Sequence, residues 1–152
     1  MRLTDDECWS ALRSAEHGVL CTTNAHGAID AVPVCFAVVS EQIVTPVDRV
    51  KQKGTTELGR LKNLDRDTRA TLLCDRWSMD DWSQLCWVRA HLARRSSDQV
   101  DEGLLRESDS TLRRKYVQYR DTSFAGVIYF DVEDVVGWTA AGAQPEETDP
   151  LM

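Results

Sequence analysis

IVTPVDRVKQKGTTELGRLKNLDRDTRATLLCD, residues 43–75, holds two apolar runs separated by a basic loop and a short helical pattern. The first run breaks at Pro46 and enters a loop carrying Arg49, Lys51 and Lys53. Thr55 or Thr56 can cap a helix whose apolar side is Leu58, Leu61 and Leu64, with Arg60 and Lys62 beside it and Asp65-Arg66-Asp67 closing it. The second run, residues 69–75, is nearly continuous in apolar character and is expected to be a strand buried on both faces. The whole chain carries a formal net charge of −7, so cations packed between two strands are its least expected feature. They read as a phosphate-binding edge on a β-barrel. A solvated face also fits a run this short, and the residues alone leave both readings open.

Upstream, Thr4 with Glu7 forms a capping-box pattern for a first helix that ends before Gly18. GVLCTTN and AIDAVPVCFAVVS follow as two strand-like runs joined by a turn at Asn24-Ala25-His26-Gly27. Pro33 inside the second run calls for an edge position or a bulge. QIVTP pairs back through a tight turn near Ser40-Glu41, giving three strands before the basic loop.

Downstream, WSMDDW (residues 77–82) reads as a loop and SQLCWVRAHLARR as a further strand, with Leu85, Trp87 and Arg89 on one face. A charged helical region opens at Ser97 and runs to about Tyr119, with a break expected near Ser108-Asp109-Ser110. FAGVIYFDVEDVVGWTA supplies the last strand. Residues 1–142 form one domain, and the tail 143–152 is expected to be disordered. The order is mainly β (α+β) with peripheral helices, and its even spacing favours a closed or split barrel over alternating βαβ units.

Composition narrows the function. A length of 152 residues with 42% hydrophobic and 28% charged residues suits one globular domain. No apolar run nears the roughly 20 residues of a membrane span, and the acidic amphipathic N-terminus is not a signal peptide. A cytoplasmic protein is expected. A pI near 4.9 argues against nucleic acid as a partner. Five cysteines (Cys8, Cys21, Cys35, Cys74, Cys86) contain no C-x-x-C pair and read as buried reduced thiols. His17, His26 and His91 are scattered, and no metal site is expected.

Five segments in order, GVLCTTNAHGAIDAVPVCFAV, TPVDRVKQK, GRLKNLDRDTRATLLCD, DDWSQLCWVRA and VVGWTA, resemble the flavin/deazaflavin oxidoreductases. These are FMN-binding split β-barrels related to pyridoxamine 5′-phosphate oxidase. The chain is most similar to the actinobacterial branch of probable coenzyme F420-dependent enzymes, and the resemblance extends to about Ala140. It implies a homodimer with cofactor sites at the subunit interface, and a reduced deazaflavin delivering hydride to a small organic acceptor. The cofactor then carries the hard chemistry, which suits a chain with no convincing nucleophile–base pair; the catalytic residues stay unknown.

Carried over by position, the resemblance places Thr45 and Asp48 along the ring system and Lys51 and Lys53 in the basic loop. Arg60 and Lys62 fall at the phosphate, just before Asn63-Leu64. Gln52 stands where that branch usually has proline, which leaves the loop without a fixed φ. Trp82 follows two acids and either packs along a flat ring or plugs the barrel end. Arg89 is a cofactor candidate if its strand is buried, since it would then need an anion. FMN is the alternative cofactor, because it presents a similar phosphate. A non-catalytic F420- or small-ligand-binding protein is the alternative outside enzymes. The residues carry no code for the acceptor.

Overall fold

A computed structural model describes residues 1–48 and 59–140. Arg49, Lys51, Gln52, Lys53, Thr55, Thr56, Leu58 and the tail 143–152 lie outside the described residues. Helix α1 is Asp5–Ser14, followed by β1 Gly18–Thr23, β2 Ile29–Val34, β3 Ala37–Val39 and β4 Gln42–Asp48. After the undescribed segment come α2 Gly59–Arg66, β5 Arg69–Arg76, β6 Cys86–Arg94, α3 Glu102–Lys115 and β7 Phe124–Thr139. The strands form one sheet in the order β2-β1-β5-β6-β7-β4-β3, with antiparallel neighbours throughout.

The sheet closes because its two edge strands are consecutive in the chain. Only Cys35 and Phe36 separate β2 from β3. Three Cα steps from Val34 to Ala37 reach at most about 11 Å. Seven strands laid flat would put their edges roughly 30 Å apart. The sheet must therefore curl until its edges nearly meet, and since β2 and β3 are not paired, the barrel stays split along that seam. The expected single long run thus becomes two strands, giving four before the basic loop. Pro33 sits in β2, an edge strand, where its missing N–H is tolerated.

The corner at Cys35-Phe36 leaves the ladder, so its polar groups need other partners. Tyr116 Oη accepts from the Phe36 N–H at 3.0 Å and donates to the Glu16 carbonyl at 2.6 Å. Lys115 Nζ donates to the Phe36 carbonyl at 2.8 Å and lies 4.2 Å over its ring. Thr45 Oγ1 donates to the Cys35 carbonyl at 2.9 Å. The end of α3 and the middle of β4 therefore hold the corner together.

Local signals behave as their chemistry requires. The Glu7 N–H donates to Thr4 Oγ1 and the Thr4 N–H to Glu7 Oε2, completing the capping box. Gly27 adopts φ 79° in the first hairpin turn, where Asn24 Oδ1 accepts from the His26 and Ala28 N–H groups. At Gly137 a Cβ would sit 2.8 Å from Leu3 and 2.9 Å from Cys8 Sγ, so only glycine lets α1 lie against β7.

Three expectations are corrected. The strand does not break at Pro46: β4 continues to Asp48, pairing Pro46 with Val127. Because β3 reaches only as far as Val44, one edge of β4 is unpaired there and a residue without an N–H is accommodated. Strand β5 is not buried on both faces. Ala70, Leu72 and Cys74 point inward, Thr71 and Leu73 are half-buried, and Arg69, Asp75 and Arg76 are exposed. The charged helical region opens with a 3-10 turn at Ser97–Gln99 and then runs unbroken through Ser108-Asp109-Ser110. Ser108 is buried against the second core, where Leu112 and Tyr129 lie, and that packing overrides serine's weak helix preference.

The main core joins Leu12, Leu20, Phe36, Ile43, Leu64, Leu72, Val88, Leu92 and Phe130. All five cysteines are unpaired. Cys8 and Cys74 are buried, while Cys21, Cys35 and Cys86 are half-buried.

Candidate functional site

A cleft of ≈ 460 Å³ opens between the β1–β2 edge and the first turn of α2, lined by Thr22, Ile29, Asp30, Ala31, Val32, Gly59 and Arg60. Helix α2 is set by burial of Leu64 and partial burial of Leu61 against the main core. That orientation aims the 3.6-residue repeat so that Arg60 lines the cleft, Asn63 is buried and Lys62 is exposed.

Arg60 is half-buried, and its Nε is buried without a hydrogen-bond partner among the described residues. Burial pulls its pKa down, opposed by the nearby Asp48 carboxylate and Tyr119 phenol. The Tyr119 pKa is held well above the ordinary phenol range, first by burial, then by the neighbouring Cys35 thiol and Asp48 carboxylate. Tyr119 is delivered by the α3–β7 connection. Its ring meets Phe124 edge-on at 4.9 Å, and Phe124 pairs with Asp48 across β7 and β4. Arg113 ties that connection down by donating to the Tyr119 carbonyl and, at 2.7 Å, to the Thr122 carbonyl.

The opposite wall is a hydrogen-bonded chain. Asn63, 3% exposed, donates through Nδ2 to Thr22 Oγ1 at 3.0 Å and Asp30 Oδ2 at 2.9 Å. Its Oδ1 accepts from Arg66 at 2.8 Å. Asn24 Nδ2 donates to Asp30 Oδ1 at 3.0 Å. These amide bonds, Asn63's first, hold the Asp30 pKa below its ordinary value.

The chain thus brings Asp48, Arg60 and Asn63 to one end of the barrel. Thr45 belongs to the nearby corner: it is 1% exposed and its hydroxyl is used on Cys35. Lys51 and Lys53 fall outside the described residues. Trp82 and Arg89 are not brought to this cleft. Trp82 opens a 3-10 turn capped by Asp81, is 74% exposed, and follows the far end of β5, roughly 20 Å from the cleft end at 3.3 Å per residue. Arg89 is exposed on the outer face of β6, 5.9 Å from the Trp87 ring. Its strand buries Val88, Ala90 and Leu92 on the other face, so the condition that would make Arg89 an interior cation is not met.

Sequence reasoning passed over Thr22, Asp30, Cys35, Lys115, Tyr116 and Tyr119. Asn63 with Asp30 gave no signal, being a contact across 33 residues. Among the described residues no group of His, Cys, Asp or Glu is placed to hold a metal ion. Among them, too, no helix is long and apolar enough to cross a membrane.

No family model matches the chain, and no curated protein matches it. Solved structures do. A conserved hypothetical protein from Mycobacterium tuberculosis superposes with a TM-score of 0.68 at 15% identity, covering 91% of this chain and 86% of that one. An FMN-binding protein from Syntrophomonas wolfei gives 0.63 at 12% identity, covering 89% and 88%. A candidate pyridoxamine 5′-phosphate oxidase from Corynebacterium glutamicum gives 0.57 at 13% identity, covering 94% and 95%. At such identities the likeness is one of fold. The protein has the split β-barrel fold seen in these FMN-binding and pyridoxamine 5′-phosphate oxidase-like structures.

Proposed function

We propose that this protein is a split-barrel oxidoreductase that binds coenzyme F420 and passes hydride to a small organic acceptor, working as a cytoplasmic homodimer. The observation that carries the reading is Arg60. Its guanidinium lines the cleft at the first turn of α2, with a buried Nε that has no hydrogen-bond partner among the described residues. An anionic group fits that donor, and charge-assisted bonds of this kind are about twice as strong as neutral ones. Arg60 would hold the phosphate, Lys62 lies outside the cleft lining two residues along the same helix, and Asn63 would keep the helix in register with β1 and β2. The Asp48 carboxylate and the Tyr119 phenol lie near enough to favour the charged guanidinium against its burial. The deazaflavin, when bound, supplies the hydride chemistry.

Dimerisation is supported by the outer face of the sheet. Val19, Leu73 and Val136 lie half-buried in one row across β1, β5, β6 and β7, with exposed Arg89 between Leu73 and Val136 and the Trp87–Trp138 pair beside it. Trp77, Met79 and Trp82 are exposed at the adjoining loop. A partner seated there would cover this surface and could bring Trp82 and Arg89 to a site that one subunit leaves without them.

FMN is the second reading, favoured by the FMN-binding neighbour of the same fold. Fluorescence titration of the protein with F420 and with FMN, at low and moderate salt, decides between them. Tight, salt-sensitive F420 binding that Arg60→Ala weakens is the expected result. Preferential FMN binding would move the function to flavin oxidation. Binding of neither would overturn the enzyme.

A further inference from the structure

We propose that Asp30 reads hydroxyl groups next to the phosphate held by Arg60, so that the cleft selects a phosphorylated polyol over a plain phosphate ester. The inference rests on the phosphate assignment at Arg60 and adds a second recognition element to it. A site built only for an anion would keep carboxylates away, yet Asp30 lines this cleft together with Arg60. Asp30 is fixed from two sides, by Asn24 on the β1–β2 hairpin and Asn63 on α2, at 3.0 and 2.9 Å. Asn63 is in turn locked by Thr22 and Arg66. Each carboxylate oxygen takes one of these bonds and retains capacity for another donor.

A carboxylate held this firmly at a cleft wall repels the phosphate unless the ligand also offers donors. Hydroxyls on the carbons adjoining a phosphate supply them. Both flavin and deazaflavin carry a phosphorylated polyol chain, so one carboxylate would serve either cofactor. Ile29 and Val32 complete the wall with apolar surface suited to the carbon chain. Asp30 is therefore a specificity residue of the ligand's chain, separate from the ring chemistry.

The test uses ribitol 5-phosphate and n-pentyl phosphate, esters of equal chain length with and without hydroxyls, titrated into the full chain by ligand-observed NMR. The wild type is expected to bind ribitol 5-phosphate about tenfold more tightly, the discrimination that one charge-assisted hydrogen bond supports. Asp30→Asn should bring the two affinities within about threefold, and Arg60→Gln should weaken both alike. Equal wild-type affinities, with both lowered by Arg60→Gln, would overturn the role of Asp30 and leave the phosphate site standing. An unchanged preference in Asp30→Asn would overturn it too. Failure of both esters to bind would overturn the phosphate site and this inference together. The wild-type comparison holds even if Asp30→Asn loosens the hairpin.

Discussion

The cleft at α2 and the outer face around Trp82 use polar and aromatic groups in opposite ways. At the cleft, Thr22, Asp30, Asn63 and Arg66 satisfy one another across three elements, and Asn63 is almost wholly buried. At the outer face, Trp77, Met79 and Trp82 stand exposed on a loop whose side-chain hydrogen bonds from Ser78 to Asp80 and from Asp81 to Ser83 and Gln84 are local. One region is completed by its own fold. The other offers apolar area that only a second surface can bury. Stability is therefore concentrated at the first, and the second is where the proposed homodimer would form.

The comparison breaks most readily at Asn63. Asn63→Ala leaves a buried hydroxyl, a carboxylate and a guanidinium short of a partner, and should cost about 3 kcal/mol in chemical denaturation. Wild-type stability in that variant would show that the cleft wall is not held by this network. Arg60→Ala acts differently. It should lower the affinity for phosphate-bearing ligands at least tenfold while changing the unfolding midpoint little, because its buried Nε makes no hydrogen bond among the described residues. A large loss of stability instead would make Arg60 a structural cation.

A third effect is pH-dependent. Burial pushes the Cys74 thiol up from 9.0 to about 12 and the Tyr116 phenol up from 10.0 to about 12. Both stay protonated in the fold while the unfolded chain releases their protons first. Their stabilisation is fully present below pH 9 and is lost as pH rises from there through about 12. Lys115, whose pKa burial lowers from 10.5, works the other way: its buried-charge penalty is relieved as pH rises toward 10.5. Thermal unfolding should therefore weaken above pH 9, and Cys74→Ala should reduce that slope. A slope identical to wild type would remove Cys74 from the account. The smallest stability effect belongs to Trp82→Ala, within about 0.5 kcal/mol for an exposed side chain. Sedimentation should nonetheless show a weaker dimer; a dimer constant equal to wild type would place the interface elsewhere.

Much of the fold was legible because the signals were local. Thr4 and Glu7 lie three residues apart, Asn24 to Gly27 form a turn with their own side chain and backbone, and Ser40 takes φ 54° in the tight turn expected near it. Pro33 marked an edge strand through a missing donor. Arg60 was legible as a candidate because a cation between strands in an acidic chain is unusual, and the fold places it in the cleft lining. The errors arose where a neighbour in space changed the meaning of a residue. Pro46 continues a strand because β3 is short. Ser108 continues a helix because it is packed against β7.

The sequence by itself determined the caps, the turns, the alternation of strands and the place of a cation near a helix start, since these depend on groups within a few residues. Only the tertiary structure decided that residues 29–39 feed both edges of one sheet, which forces it to curl. Only it, too, set Asp30 beside Asn63 and Tyr119 beside Asp48. Such contacts arise from burying Leu64 and Phe36 in a common core. The free energy of that burial depends on apolar area removed from water, not on separation along the chain.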